Sequence, residues 1–104
     1  MNLNNFTIKS QEVVQKASEI AQSADHQAIE PGHILKGIFQ VEENVSGFLF
    51  NKLGINLQNI QRILESILSH YPKVTGGEPY LSQTGQKVLQ NAIQSSKEFG
   101  DQFV

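Results

Sequence analysis

The sequence predicts an all-α fold of five amphipathic helices, and three observations predict it. Apolar residues recur at three- and four-residue intervals in five separate segments. Each segment opens or closes on a residue with a helix-terminating role. No segment alternates apolar and polar residues over a length useful to a strand.

The first helix follows Thr7, whose hydroxyl can accept a backbone N–H from the first turn. Val13, Val14, Ala17, Ile20, Ala21 and Ala24 then form one apolar stripe, and Glu12 and Lys16 sit four apart as a surface ion pair. The polar turn from Asp25 to Glu30 leads to Pro31, a residue suited to the first helical position because its missing N–H would be unpaired there. The second helix is expected to bury Ile34, Leu35, Ile38 and Phe39. A short third helix, from about Asn44 to Leu53, is expected to turn Val45, Phe48, Leu49 and Leu53 inward and to end at a left-handed Gly54. Asn56 caps the fourth helix, whose stripe is Leu57, Ile60, Ile63, Leu64, Ile67 and Leu68, and Pro72 blocks its continuation. Two prolines and Gly76-Gly77 disfavour helix up to Tyr80. Ser82 caps the fifth helix, with Val88, Leu89, Ala92, Ser96 and Phe99 on one face and Gly100 at its end.

Composition narrows the function classes. A chain of 104 residues makes at most one domain. Its net charge of −2 and eight scattered Lys and Arg residues argue against nucleic-acid binding, which needs a clustered basic face. Without cysteine there is no thiolate nucleophile, disulfide or cysteine zinc site. The start of the chain lacks the basic and apolar parts of a signal peptide, and no apolar run approaches a membrane span, so the expectation is a cytoplasmic domain. No Gly-x-x-x-x-Gly-Lys-Ser/Thr segment is present, so this segment is not expected to bind ATP. His26, His33 and His70 lack ligand spacing, and His33 is expected to pack or cap; Glu42-Glu43 reads as a solvated turn. No catalytic residue or metal ligand is assigned.

A shift of 75 places aligns the chain with itself. Gln11, Val13, Gln15, Ala17 and Gln27 fall on Gln86, Val88, Gln90, Ala92 and Gln102, and Thr7 falls on Ser82. The organisation read from this is a four-helix repeat at residues 1–71, a linker at 72–81, and the start of a second, truncated repeat at 82–104, all within one domain. The fifth helix is then expected to carry apolar surface without an intramolecular partner, favouring self-association.

Phe6-Thr7 ahead of a long helix, followed by His26-Gln27-Ala28-Ile29-Glu30-Pro31-Gly32-His33-Ile34-Leu35, resembles the N-terminal repeat domain shared by the Clp chaperones. In that family the second helix opens with a Glu-Pro or Thr-Glu pair and continues into His-Leu-Leu. Leu53-Gly54-Ile55 and Pro79-Tyr80-Leu81-Ser82 fit the same pattern, and the resemblance covers essentially the whole chain. Glu30-Pro31 and the Gly-Gly linker point to the disaggregase branch rather than to the protease-linked branches.

The resemblance implies a non-catalytic, helical substrate-binding module on a hexameric AAA+ motor. Its partners would be unfolded or aggregated proteins, with cooperation from an Hsp70-type chaperone, and ATP and Mg would be bound by the rest of the parent chain. The alternative within the family is a module that docks a folded adaptor of a Clp protease. By resemblance Thr7 and Asp101 belong to the substrate-contact region. Two apolar groove positions of the family are Asn91 and Ser95 here, a departure that weakens the expected groove.

Overall fold

The computed structural model describes residues 2–104. It holds five helices, α1 (Ile8–Ser23), α2 (Pro31–Val41), α3 (Glu43–Lys52), α4 (Leu57–Ser69) and α5 (Gln83–Glu98). Two strands of two residues each, β1 (Ala28–Ile29) and β2 (Tyr80–Leu81), pair in parallel with Ala28 beside Tyr80 and Ile29 beside Leu81.

Local chemistry sets the helix ends. Thr7, Asn56 and Ser82 each have extended backbone and accept the N–H three residues ahead, from Ser10, Asn59 and Gly85. Pro31 opens α2, and there His33 accepts the Glu30 N–H at Nδ1 (2.9 Å), tying the first turn to the chain entering it. Gly54 and Gly100 take φ of +71° and +74° beyond the ends of α3 and α5. A side chain at either position would meet its own backbone, so glycine ends these helices cheaply.

Two apolar clusters hold the elements together. The larger joins Phe6, Val13, Ala17, Ala21, Ile29, Ile34 and Leu89, so α1 and α2 pack against β1 and α5. α1 and α2 approach closely at Gly37, where an added Cβ would lie 2.9 Å from the Val13 carbonyl oxygen. The smaller cluster joins Phe39, Leu64 and Leu68, with Phe50 of α3 edge-on to Phe39 at 5.8 Å. Lys36 of α2 and Glu65 of α4 are bridged at 2.6 Å across the same seam.

α1 and α5 correspond in their bounds and in the bonds that close them. α1 and α5 are both 16 residues long, and a shift of 75 carries one set of boundaries onto the other. Asp25, the residue beyond α1 with positive φ (59°), corresponds to Gly100. The closing hydrogen bonds correspond too: His26 N–H to Ala21 O and Asp101 N–H to Ser96 O, each 2.8 Å. The flanking segments pair crosswise, since Ser82 N–H donates to Ile29 O (3.1 Å) while Thr7 N–H donates to Val104 O (3.0 Å). Each segment before a helix thus grips the segment after the other helix, as an approximate two-fold requires.

Several apolar faces lie elsewhere than periodicity places them. α3 is turned over: Ser46 is its buried residue, while Val45, Phe48, Leu49 and Leu53 are all exposed. Ile38 of α2, Ile63 and Ile67 of α4, and Val88 and Phe99 of α5 are also exposed. His26, read as a turn residue, is buried. The surface ion pairs on α1 are Lys9–Glu12 and Lys16–Glu19 rather than Glu12–Lys16. Residues 72–81 form no helix, but they are tied down at both ends: Val74 N–H donates to Asp25 O, and Tyr80 N–H to Gln27 O.

Candidate functional site

Thr7 and the last residues of the chain meet at one end of the α1–α5 pair. Thr7 Oγ accepts the Ser10 N–H (3.1 Å) and donates to Ser10 Oγ (3.0 Å), which donates in turn to Val104 O (2.9 Å). The Val104 N–H donates to Asn5 O (2.9 Å), closing the junction. The Thr7 hydroxyl is therefore occupied in holding the helix start and the final segment together. A ligand contact by Thr7 would have to be made in addition to these bonds or at their expense.

Asp101 lies three residues before Val104, within about 10 Å of chain from the junction. Its N–H closes α5, while its exposed carboxylate makes no hydrogen bond or ion pair among the described residues. It is available as an acceptor. Large apolar side chains near them in the chain are in contact with solvent: Ile8 is 76 % exposed, Phe99 82 % and Phe103 52 %. Asn91 and Ser95 are exposed on α5 and add polar groups to its outer surface.

Sequence reasoning singled out Thr7 and Asp101 but missed Ile8 and Phe103, and it set Phe99 on a packed face. A signal for Phe103 existed, because the 75-residue shift places Phe103-Val104 on Ala28-Ile29, the residues of β1. Val104 makes the corresponding backbone pair, leaving its neighbour Phe103 half exposed.

The histidines form a different kind of centre. His33 is fully buried and accepts at Nδ1 from the Glu30 N–H, so its proton lies on Nε2 and is donated to His26 Nδ1 at 2.9 Å. His26 consequently carries its own proton on Nε2, which is buried and has no partner among the described residues. Tyr71 packs against both rings, with centroids 5.6 and 5.0 Å away. Burial, reinforced by His26, lowers the His33 pKa to about 4 against the pull of Glu30; Lys36 lowers it further. Burial likewise raises the Tyr71 phenol above its ordinary value.

Both ring nitrogens of His33 are engaged, so this residue has none left to bind a metal or move a proton to a substrate. The adjoining cleft of about 460 Å³ is lined by two ion pairs, Lys16–Glu19 and Lys36–Glu65, and by Lys73. Among the described residues, no group of three His, Cys, Asp or Glu side chains is placed to hold a metal ion, and no helix is long and apolar enough to cross a membrane.

Comparison with known proteins agrees with this architecture. The model of the Clp repeat (R) N-terminal domain matches residues 5–104. The chain is 56% identical over 104 residues to the chaperone protein ClpB of Bacteroides thetaiotaomicron, covering 100% of this chain and 12% of that protein. It is 42% identical over 104 residues to ClpB of Porphyromonas gingivalis, with the same coverage of 100% and 12%. With ClpB 1 of Thermosynechococcus vestitus it shares 31% identity over 104 residues, 99% of this chain and 12% of the relative. The chain thus spans about an eighth of the length of the curated relatives it matches. With five helices, a 75-residue internal repeat and a family match from residue 5 to its last residue, the chain belongs to the Clp repeat N-terminal domain family, as a chaperone N-terminal module of the ClpB kind.

Proposed function

We propose that this module captures misfolded or aggregated polypeptides and presents them for ATP-driven threading by the rest of a longer AAA+ disaggregase. The observation that carries the reading is the exposure of the apolar side chains Ile8, Phe99 and Phe103, chain neighbours of Thr7 and Asp101. Large apolar side chains left in water favour partners that bury them. An unfolded chain supplies such partners in any order, and its unpaired backbone N–H groups suit the free Asp101 carboxylate. The ClpB name of the relatives supports the chaperone assignment.

In this reading the domain makes no bonds. ATP and Mg are handled elsewhere in the parent protein, which assembles as a hexamer in the cytoplasm and works with an Hsp70-type chaperone. Individual contacts are weak, with a dissociation constant of about micromolar or higher, and multiple copies on one assembly supply avidity. Titrating the chain with a fluorescently labelled, permanently unfolded protein, read by anisotropy, tests the proposal. The double variant Ile8→Ser/Phe99→Ser should weaken binding at least about fivefold, the equivalent of roughly 1 kcal/mol. Undiminished binding by that variant would remove this surface from the mechanism.

A further inference from the structure

α3 carries an exposed apolar surface of its own. α3 packs on α2 and α4. Its inward side is made by Ser46 and Phe50, and its outward side by Val45 (50 % exposed), Phe48 (61 %), Leu49 (52 %) and Leu53 (69 %). Positions 45, 48, 49, 52 and 53 follow the spacing of a helix–helix seam. Charges close the row at both ends: Glu42 and Glu43 stand at its start, and Lys52, in its last turn, stands over the Phe48 ring at 5.7 Å.

We infer that this face pairs with the same face of a second copy of the chain, α3 against α3 and antiparallel. The charge pattern selects this occupant. An antiparallel register that sets Glu42 of one copy against Lys52 of the other also sets Val45 against Leu49, and places Phe48 of both copies near the two-fold. Every contact is made twice, as an isologous interface requires. Opposed helix dipoles reinforce the pairing, since the acidic first turn of each copy lies beside the basic last turn of the other. An arbitrary client chain offers the apolar contact without the matched charges. The interface is small, one helix from each copy, so the pairing is weak, with a dissociation constant of about 0.1–1 mM. It does not depend on the proposed client surface.

Sedimentation equilibrium of the 104-residue chain up to about 1 mM tests the inference, with circular dichroism confirming that each variant stays helical. A monomer–dimer equilibrium is expected. Phe48→Asp should weaken it at least tenfold, and Phe99→Asp should leave it unchanged. Lys52→Glu should weaken it, and adding Glu42→Lys should restore it to within about threefold, because the charges are then matched again. A chain that stays monomeric at the highest concentration overturns the inference. So does a dimer indifferent to Phe48→Asp, or a charge swap that fails to recover. A monomer whose capture of an unfolded protein is lost in Phe48→Asp would assign the face to clients and overturn it equally.

Discussion

His33 accepts a hydrogen bond at Nδ1 and donates one at Nε2, so both contacts stand only while its ring is neutral. The folded state holds its pKa near 4, whereas the unfolded chain binds the same proton near 6.5. Above about 6.5 both states leave the ring neutral, and its contribution to stability is fully present. As pH falls from about 6.5 towards 4 the unfolded chain takes up the proton first, and stability drains away by up to about 3 kcal/mol. Urea unfolding at pH 7.5 and at pH 5 should show this loss, and His33→Gln, which keeps one acceptor and one donor without titrating, should flatten it. Equal slopes in the two proteins would place the pH dependence in another group. Thr7 makes a separate case, because its hydroxyl both caps α1 and reaches Val104 through Ser10. Thr7→Ala should therefore lower stability by about 0.5–2 kcal/mol, whereas Thr7→Ser should retain most of it. These local roles were readable in part: Thr7 as a cap and His33 as a packed capping residue follow from position. The burial of His26 did not, because its partner comes from a different element.

Helix ends were legible and helix faces less so, for one physical reason. Thr7, Asn56, Ser82, Pro31, Gly54 and Gly100 act on backbone groups within four residues, and each does so in the structure. A face is chosen by a partner elsewhere in the chain. In α3 the Phe50 side chain reaches Phe39, turning the longer apolar row of Val45, Phe48, Leu49 and Leu53 outward. Periodicity reveals such a row without saying what covers it. Close packing between helices was equally hidden, since Gly37 reads as a weak helix residue until α1 is seen against it. Its missing Cβ would stand 2.9 Å from Val13 O and 3.4 Å from Ala17 N, both backbone atoms that cannot rotate away. Gly37→Ala should cost about 1–3 kcal/mol despite its better helix propensity. Gly47 has nothing within 4 Å of its added Cβ, and Gly47→Ala should raise stability by about 0.5–1 kcal/mol. Urea midpoints moving in opposite directions would bear this out, and equal shifts would refute the packing argument.

At the scale of the molecule the 75-residue periodicity was visible in the sequence, but the crosswise pairing it produces was not. Strands of two residues have no alternation to read, and β1 and β2 are brought together across the whole of α2, α3 and α4. The exchange succeeds because both copies let a helix start come close to a carbonyl of the other copy, by different means. In one copy Ser10 donates its hydroxyl to Val104 O; at the matching position Gly85 leaves room for Ile29 O. A Cβ on Gly85 would lie 2.6 Å from that oxygen, nearer than atoms can approach. Gly85→Ala should therefore force α5 away from β1, breaking the Ser82 N–H to Ile29 O bond at a cost of about 1–3 kcal/mol. Amide exchange locates the damage: protection at Ser82 and Tyr80 should fall in the variant while protection within α4 follows only the global loss of stability. Uniform loss across α1, α4 and α5 would mean that the crosswise pair is not a separable unit, and that the two copies are held by their shared apolar cluster alone.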